Sequence, residues 1–508
     1  MEKFKLSVIK QNMIANYSGG AWLALMSLVF VPFYIKFMGI GSYGLLGIFA
    51  SLQSIFSLLD MGLSTTLNRE MAILSAQQDK AKDMRDIVRT LEIIYWGIGV
   101  LVALAIIALA WPISHYWVRS DKLPLSTVYQ ALTIMGVIIA VQWPISFYSG
   151  GLRGLQKHVI LNCINVGIVT LQGVGAILIL WRISPTIQAF FTWQIIVSLF
   201  GTFITAALLW ANLPKAVNHP RFQKKVLLRV WRFAGGMTAI FITTMLLTQI
   251  DKIVLSKMLT LEMFGYYTLA AAVAKVIYNF QGPIYASLFP RLCQLISLPD
   301  HTELIALYHK ACQLLSVMVL PAAMVIALFS SEIMFLWTGN RSIVSNTQYL
   351  ISVLVIANAC NALMCLPGGL TYADGWTDLA LYTNIIAIFI LTPMTMLLIK
   401  YYGTIGAAVS WLVLNSGYVL IVIHIVHMRL LKSEKKRWYF IDVGLPLLGA
   451  LSAAFLWRIF APDNMSRGFI LFYLVGVSIT TLISSAVLTP YTRFLIGRVS
   501  LRLCKCYG

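Results

Sequence analysis

Apolar stretches of about 20 residues recur along the whole chain, and no other feature constrains its fold as strongly. A helix of that length spans the ~30 Å hydrocarbon core of a bilayer. Fourteen such spans are expected, at roughly 14–38, 43–66, 91–113, 125–149, 159–181, 187–211, 234–258, 264–289, 312–337, 346–370, 378–399, 404–427, 440–460 and 468–490. No stretch alternates with period two strongly enough for a membrane barrel. Charged residues make up 11% of the chain and hydrophobic residues 59%, against about a quarter charged in a soluble domain. That is too little polar material to coat a globule, so lipid must be the outer solvent. The sequence predicts an all-α polytopic membrane protein.

The formal charge of +20 raises the question of nucleic acid. Its distribution answers it. With the N-terminus in the cytoplasm, the inner segments carry 27 Lys and Arg and the outer ends about 10. This asymmetry is the positive-inside rule, and it places both termini inside, in the cytoplasm. The basic loops set topology and rest near anionic lipid, so no nucleic-acid partner is needed. The basic start, Lys3, Lys5 and Lys10, precedes an apolar run too long for a cleavable signal, so span 1 acts as the insertion signal. The seven cysteines form no disulfide framework, and Cys504-x-Cys506 lacks further ligands for a metal. No cofactor and no catalytic residues are expected.

The two halves resemble each other at a spacing of 216–221 residues. Asn16–Gly20 matches Arg232–Gly236, Ser42–Leu46 matches Met263–Tyr267, Gly150-Gly151-Leu152 matches Gly368-Gly369-Leu370, and Asn165 matches Asn384. Six spans per repeat is an even number, so both repeats insert the same way up. This predicts two pseudo-symmetric six-helix lobes with the transport path between them. The expected organisation is an N-lobe at 1–211, a basic cytoplasmic linker at 212–233, a C-lobe at 234–430, and a C-terminal helix pair with a basic tail at 431–508.

Polar residues within spans face protein or a wet cavity. Span 2 carries Gln53, Ser57, Asp60, Ser64 and Asn68 on one helical face. Span 8 carries Thr268, Lys275, Tyr278, Asn279 and Gly282 on one face, with Val273, Ile277, Phe280 and Ile284 on the other. Lys275 lies near mid-membrane, where a Lys costs about 2.5–3.5 kcal/mol on insertion scales. It is either a cavity cation facing an anionic substrate or a structural partner of Asp60 or Asp251. Asp60 and Asp251 are candidates for ion coupling, and Asp251 is also read as an ion-pair partner of Lys252. Glu332 and Asp442 are expected at solvated interfaces, with His115, His424 and His427 near them. The full set assigned to the cavity is Lys275, Asp60, Gln53, Asn279, Tyr278, Arg69, Arg153 and Lys36.

Val31-Pro32 through Lys36, Gly39, Tyr43-Gly44, Leu59-Asp60-Met61-Gly62 and Asn68-Arg69-Glu70 resemble the start of the polysaccharide transporter family. Gly151-Leu152-Arg153-Gly154-Leu155-Gln156-Lys157, with Asn162 and Asn165, continues the likeness. Gln249-Ile250-Asp251-Lys252, Gly265-Tyr266-Tyr267, Ala270 and Phe289-Pro290-Arg291 are similar to that family's second half. These are Wzx-type O-antigen flippases of the multidrug/oligosaccharidyl-lipid/polysaccharide (MOP) superfamily. The resemblance implies the MOP flippase fold, alternating access and ion coupling. It implies a substrate of undecaprenyl-diphosphate-linked oligosaccharide, moved from the cytoplasmic to the outer leaflet. Membrane lipids, a polysaccharide polymerase and a chain-length regulator are the further partners implied. The pair of spans beyond twelve is familiar from the superfamily's lipid II flippases. A multidrug exporter of the same superfamily is the alternative, although such carriers bind organic cations and a buried Lys275 opposes them. A membrane enzyme of polysaccharide assembly is the other alternative. The longest outer loop, 114–124, offers such an enzyme only His115 and Asp121.

Overall fold

The computed structural model describes residues 18–495, apart from residue 24 and the segments 61–62, 76–79, 120–122, 217–218, 224–237, 297–299, 377 and 463–465. The described residues are helical almost throughout, and their one β-contact is an isolated bridge between Arg119 and Thr260. Among them, ten helices are long and apolar enough to cross a membrane. One of the ten, Asp378–Arg429, is 52 residues long and contains spans 11 and 12. Spans 1, 7 and 8 are present as shorter or interrupted helices, which makes the picture consistent with the fourteen expected.

By contacts the chain forms two units, 1–265 and 266–508. The first contains α1 (Ser18–Val29), α2 (Val31–Phe56), α3 (Leu63–Ser75), α4 (Ala81–Pro112), α5 (Leu125–Gly154), α6 (His158–Arg182), α7 (Ile187–Asn212) and α8 (Thr238–Met258). The boundary falls inside α9 (Leu261–Ala274). The second unit continues with α10 (Tyr278–Ile296), α11 (Thr302–Leu328), α12 (Ser330–Thr338), α13 (Arg341–Leu363), α14 (Cys365–Ala373) and α15 (Asp378–Gly417). It ends with α16 (Ile423–Arg429), α17 (Leu445–Ile459) and α18 (Arg467–Leu488).

Two long helices are kinked at glycines. Gly39 (φ 81°) divides α2, and Gly403 (φ 59°) divides α15. Both have a positive φ, where a Cβ clashes with the backbone, so each kink depends on glycine.

In the first unit α5 is the central helix, packed along α3, α4 and α7. Leu67, Met71, Leu91, Tyr95, Phe147 and Leu152 form the core there. The approach of α5 to α3 is close: a Cβ on Gly150 would stand 2.5 Å from the Ser64 carbonyl oxygen. Small residues at such crossings let helix backbones touch, which is how apolar helices gain packing energy where lipid gives no hydrophobic drive. Leu101, Phe203, Phe389 and Phe472 are each more than half exposed. Large apolar side chains of this kind suit a lipid-facing surface.

Candidate functional site

The second span of each repeat is broken. In the first unit α2 tightens into a 3-10 turn at Ser57–Asp60 before α3 resumes. In the second, α9 tightens into a 3-10 turn at Lys275–Ile277 before α10. The turns begin 218 residues apart, within the spacing of the sequence repeat. Each carries one of the two charged residues singled out from the sequence, Asp60 and Lys275. A 3-10 segment within a helix marks a hinge or a functional irregularity. Paired interruptions in corresponding spans point to a transporter's binding region.

Asp60 is held by hydroxyls. The Tyr95 hydroxyl donates to Asp60 Oδ1, and the Ser64 hydroxyl donates to Oδ2 at 2.8 Å. Tyr95 itself is buried against Phe147 and Trp143. Gln53 has its own partner: its amide donates to Gln142 Oε1, and Gln142 donates to Ser198 at 2.8 Å. The turn is stitched by Ser54 donating to the Ala50 carbonyl and Ser57 to the Ser54 carbonyl. Asp251 is buried on α8 with Lys252 Nζ 3.5 Å away, and Lys252 also donates to the Thr248 carbonyl at 2.8 Å. Lys252 borders an apolar cavity of about 270 Å³, with Ile48, Leu52, Trp117 and Ser256 also on its wall. Lys36 on α2 and Arg153 in the last turn of α5 are exposed. Arg69 lies on α3, with its side chain outside the described residues.

The turn at Lys275 is clamped from two other helices. Asn358, buried on α13, donates through Nδ2 to the Ala274 carbonyl at 2.9 Å. Its Oδ1 accepts from the Tyr278 hydroxyl at 3.0 Å and from Trp411 Nε1 on α15 at 2.9 Å. Lys275 and Asn279 are exposed while Val273 and Ile277 are buried, so span 8 does present a polar face and a packed apolar face. The sequence signal for Asn358 is an amide in the apolar middle of span 10, outside the polar stripes of spans 2 and 8.

Two further carboxylates are placed by the structure and not by sequence reasoning. Glu92 on α4 is bound by Arg89 at 2.9 Å, by the Tyr148 hydroxyl at 2.7 Å and by Trp210 Nε1 at 3.1 Å. Asp86, also buried, accepts the Arg221 backbone N–H at 2.8 Å and the Gln223 amide at 2.5 Å. This straps residues 221–223 to α4. Asp442, expected at a solvated interface, is instead fully buried. Glu332, expected likewise, is ion-paired with Arg458. Asp442 departs from the expectation because α11 packs over it, whereas Glu332 stays partly exposed. Among the described residues no group of three or more His, Cys, Asp or Glu is arranged to hold a metal ion.

The fold is shared with solved membrane transporters. The chain superposes on a structure of the lipid II flippase MurJ in an inward closed conformation, with a TM-score of 0.71, 12% identity, and 96% of this chain and 99% of that one covered. An inward-facing multidrug-resistance transporter of the MATE family, of the MOP superfamily, superposes with a TM-score of 0.61, 12% identity, and coverage of 82% and 94%. In sequence, the chain is 22% identical over 407 residues to a Shigella flexneri protein named "Putative O-antigen transporter", covering 80% of this chain and 94% of the relative. The family model described as "Polysaccharide biosynthesis protein" matches residues 36–342, more than half of the chain and both of the broken spans. The chain belongs to that family.

Proposed function

We propose that this protein is a flippase for an undecaprenyl-diphosphate-linked oligosaccharide, moving O-antigen or another surface-polysaccharide repeat unit from the cytoplasmic to the periplasmic leaflet. Transport is by alternating access and is coupled to an ion. The protein sits in the bacterial inner membrane with both termini in the cytoplasm, and it serves a polysaccharide polymerase and a chain-length regulator. The observation that carries this reading is Lys275. It is an exposed cation at a clamped 3-10 turn within an apolar span, in a family of polysaccharide biosynthesis proteins. A diphosphate brings at least two negative charges into a region of low dielectric, where unpaired charge is costly. A cation already held there gives the head group a partner while the prenyl tail stays in lipid. The likeness to MATE transporters belongs to the fold, and organic cations are disfavoured by the same Lys275.

The test is deletion of the gene in a strain with no second flippase, followed by complementation with Lys275 variants at matched membrane levels. Deletion should leave lipid-linked repeats on the cytoplasmic face and remove surface polymer. Arg, always charged, should partly restore polymer; Gln should not, and Glu should be worse through repulsion. Normal polymer in the deletion strain refutes the flippase reading. Full polymer from Lys275→Gln refutes the role of the cation.

A further inference from the structure

A buried imidazole in the second unit is held between two carboxylates. His309, in the second turn of α11, is almost completely buried. Its Nε2 lies 2.9 Å from Glu434 Oε2, and its Nδ1 is hydrogen-bonded to Asp442 Oδ2. The other Asp442 oxygen accepts from the Gln313 amide at 2.8 Å. The Gln313 carbonyl in turn accepts the Tyr491 backbone N–H at 3.0 Å, which fixes the amide as a donor toward Asp442. Asp442 is fully buried, and the Glu434 side chain is 22% exposed.

Counting protons limits what this arrangement can be. An ionised carboxylate only accepts, and a neutral imidazole has one N–H. Two imidazole–carboxylate hydrogen bonds therefore need one proton more than a neutral ring and two free carboxylates contain. The ring is an imidazolium, or one of the carboxyls is protonated. The neighbouring groups supply no substitute donor to the ring. From α11, Tyr308 packs edge-on against His309, with Cys312 one turn further on. The Tyr308 hydroxyl lies 3.3 Å from Nε2 of His427 on α16. His427 Nδ1 meets its own helix at the Ile423 carbonyl at 2.8 Å, so that ring is complete when neutral. Arg437 stands 3.8 Å from Glu434, and Tyr439 lies on the following turn. With Arg437 and an imidazolium facing Glu434 and Asp442, the cluster is neutral. Without the extra proton a lone pair faces a carboxylate in a buried site, which is costly.

We propose that His309, Asp442 and Glu434 form a proton-binding site that carries the ion coupling of transport, a proposal that rests on the flippase reading above. Glu434 is the gate, because it is the one exposed member. It lies in the connection after α16, whose Arg429, Lys432, Lys435, Lys436 and Arg437 the positive-inside rule places in the cytoplasm. The site joins α11 to the connection between α16 and α17. When the proton leaves to solvent, the Nε2–Glu434 contact becomes repulsive, Glu434 swings out, and that connection is released from α11.

Two measurements on the full-length protein test this. The first is unfolding of the purified chain in nanodiscs as a function of pH. A proton held by the fold and not by the unfolded chain stabilises at low pH, and that stability is lost as pH rises, by up to tenfold in the unfolding equilibrium per pH unit. Glu434→Gln flattens the dependence. Its amide donates to Nε2 while Nδ1–H serves Asp442, so the same contacts stand with one proton fewer. Asp442→Asn does the same and serves if Glu434→Gln accumulates poorly. The second is flipping of a polyprenyl-diphosphate-linked oligosaccharide in proteoliposomes, with and without an imposed pH gradient. The gradient should accelerate the wild type several-fold and leave Glu434→Gln unchanged. A pH-independent wild type, or a Glu434→Gln protein with wild-type pH dependence, overturns the proton site. A Glu434→Gln protein that still responds to the gradient overturns the coupling. A wild type that flips nothing overturns the flippase reading, and the unfolding measurement then judges the proton site alone.

Discussion

Replacing Asn358 by Leu should unlock the break in span 8. Leucine has the same branched heavy-atom skeleton, so most of the packing survives while all three hydrogen bonds are lost. Those bonds run to the Ala274 carbonyl, the Tyr278 hydroxyl and the Trp411 indole, at 2.9–3.0 Å. Side-chain hydrogen bonds within membranes average about 0.6 kcal/mol and reach about 1.7. Three of them give a loss of about 2 kcal/mol, with a ceiling near 5. The Ala274 carbonyl sits where the helical bonding tightens into the 3-10 turn, so its bond to Asn358 bears directly on the break. The assay is unfolding in detergent of wild type, Asn358→Leu, Tyr278→Phe and the double variant. The cycle should give a coupling of about 0.6 kcal/mol between Asn358 and Tyr278, since both singles break the same bond. Complementation in parallel should show reduced surface polymer for Asn358→Leu at a temperature where the protein persists, because the turn presenting Lys275 has lost its clamp. A loss below about 0.5 kcal/mol, or strict additivity, refutes the idea that Asn358 holds the break.

Two other outcomes follow from the geometry. Gly150→Ala should cost about 1–3 kcal/mol in a melting experiment, because its Cβ would meet the Ser64 carbonyl oxygen at 2.5 Å. Gly368→Ala, with nothing within 4 Å of its Cβ, should stay within about 0.5 kcal/mol of wild type. Reporter fusions at residues 219 and 434 should read cytoplasmic, and fusions at 121 and 463 external; reversal at any two sites refutes the topology derived from the loop charges.

The helical architecture was legible because it follows from one strong physical demand. Every backbone group in lipid must be satisfied locally, so a 20-residue apolar segment has little choice but to be a helix. Segment boundaries at Gly39 and Gly403 were legible for the same reason, as interruptions of an apolar run. The residues that make the site were only half legible. Asp60 and Lys275 stand out as ionisable groups in apolar spans, where their cost is visible in the sequence itself. Their partners do not stand out. Tyr95 and Asn358 lie 35 and 80 residues or more from the groups they hold, Asp60 and Tyr278. Asp442 and His309 were misjudged or passed over because each sits near a helix end, where a charge is cheap if water reaches it. Only the packing of α11 against the segment before α17 removes that water.

A broken span in a bilayer requires donors, and each unit supplies them in its own way. Each 3-10 turn disturbs the regular carbonyl-to-amide ladder, and each unsatisfied group in hydrocarbon costs several kcal/mol. The first unit meets this demand locally, with Ser54 and Ser57 donating to carbonyls of their own helix. The second meets it from a distance, with Asn358 donating across from α13 and tied by Trp411 to α15. The two repeats therefore share a break but differ in what holds it. In the first, the hydroxyl donors move with the break, and its link to another helix is the Tyr95–Asp60 bond to α4. In the second, a change in the turn pulls on α13 and α15 together. A ligand that contacts Lys275 thus acts on three helices of the second unit at once, whereas a change at Asp60 is passed on through Tyr95 to α4.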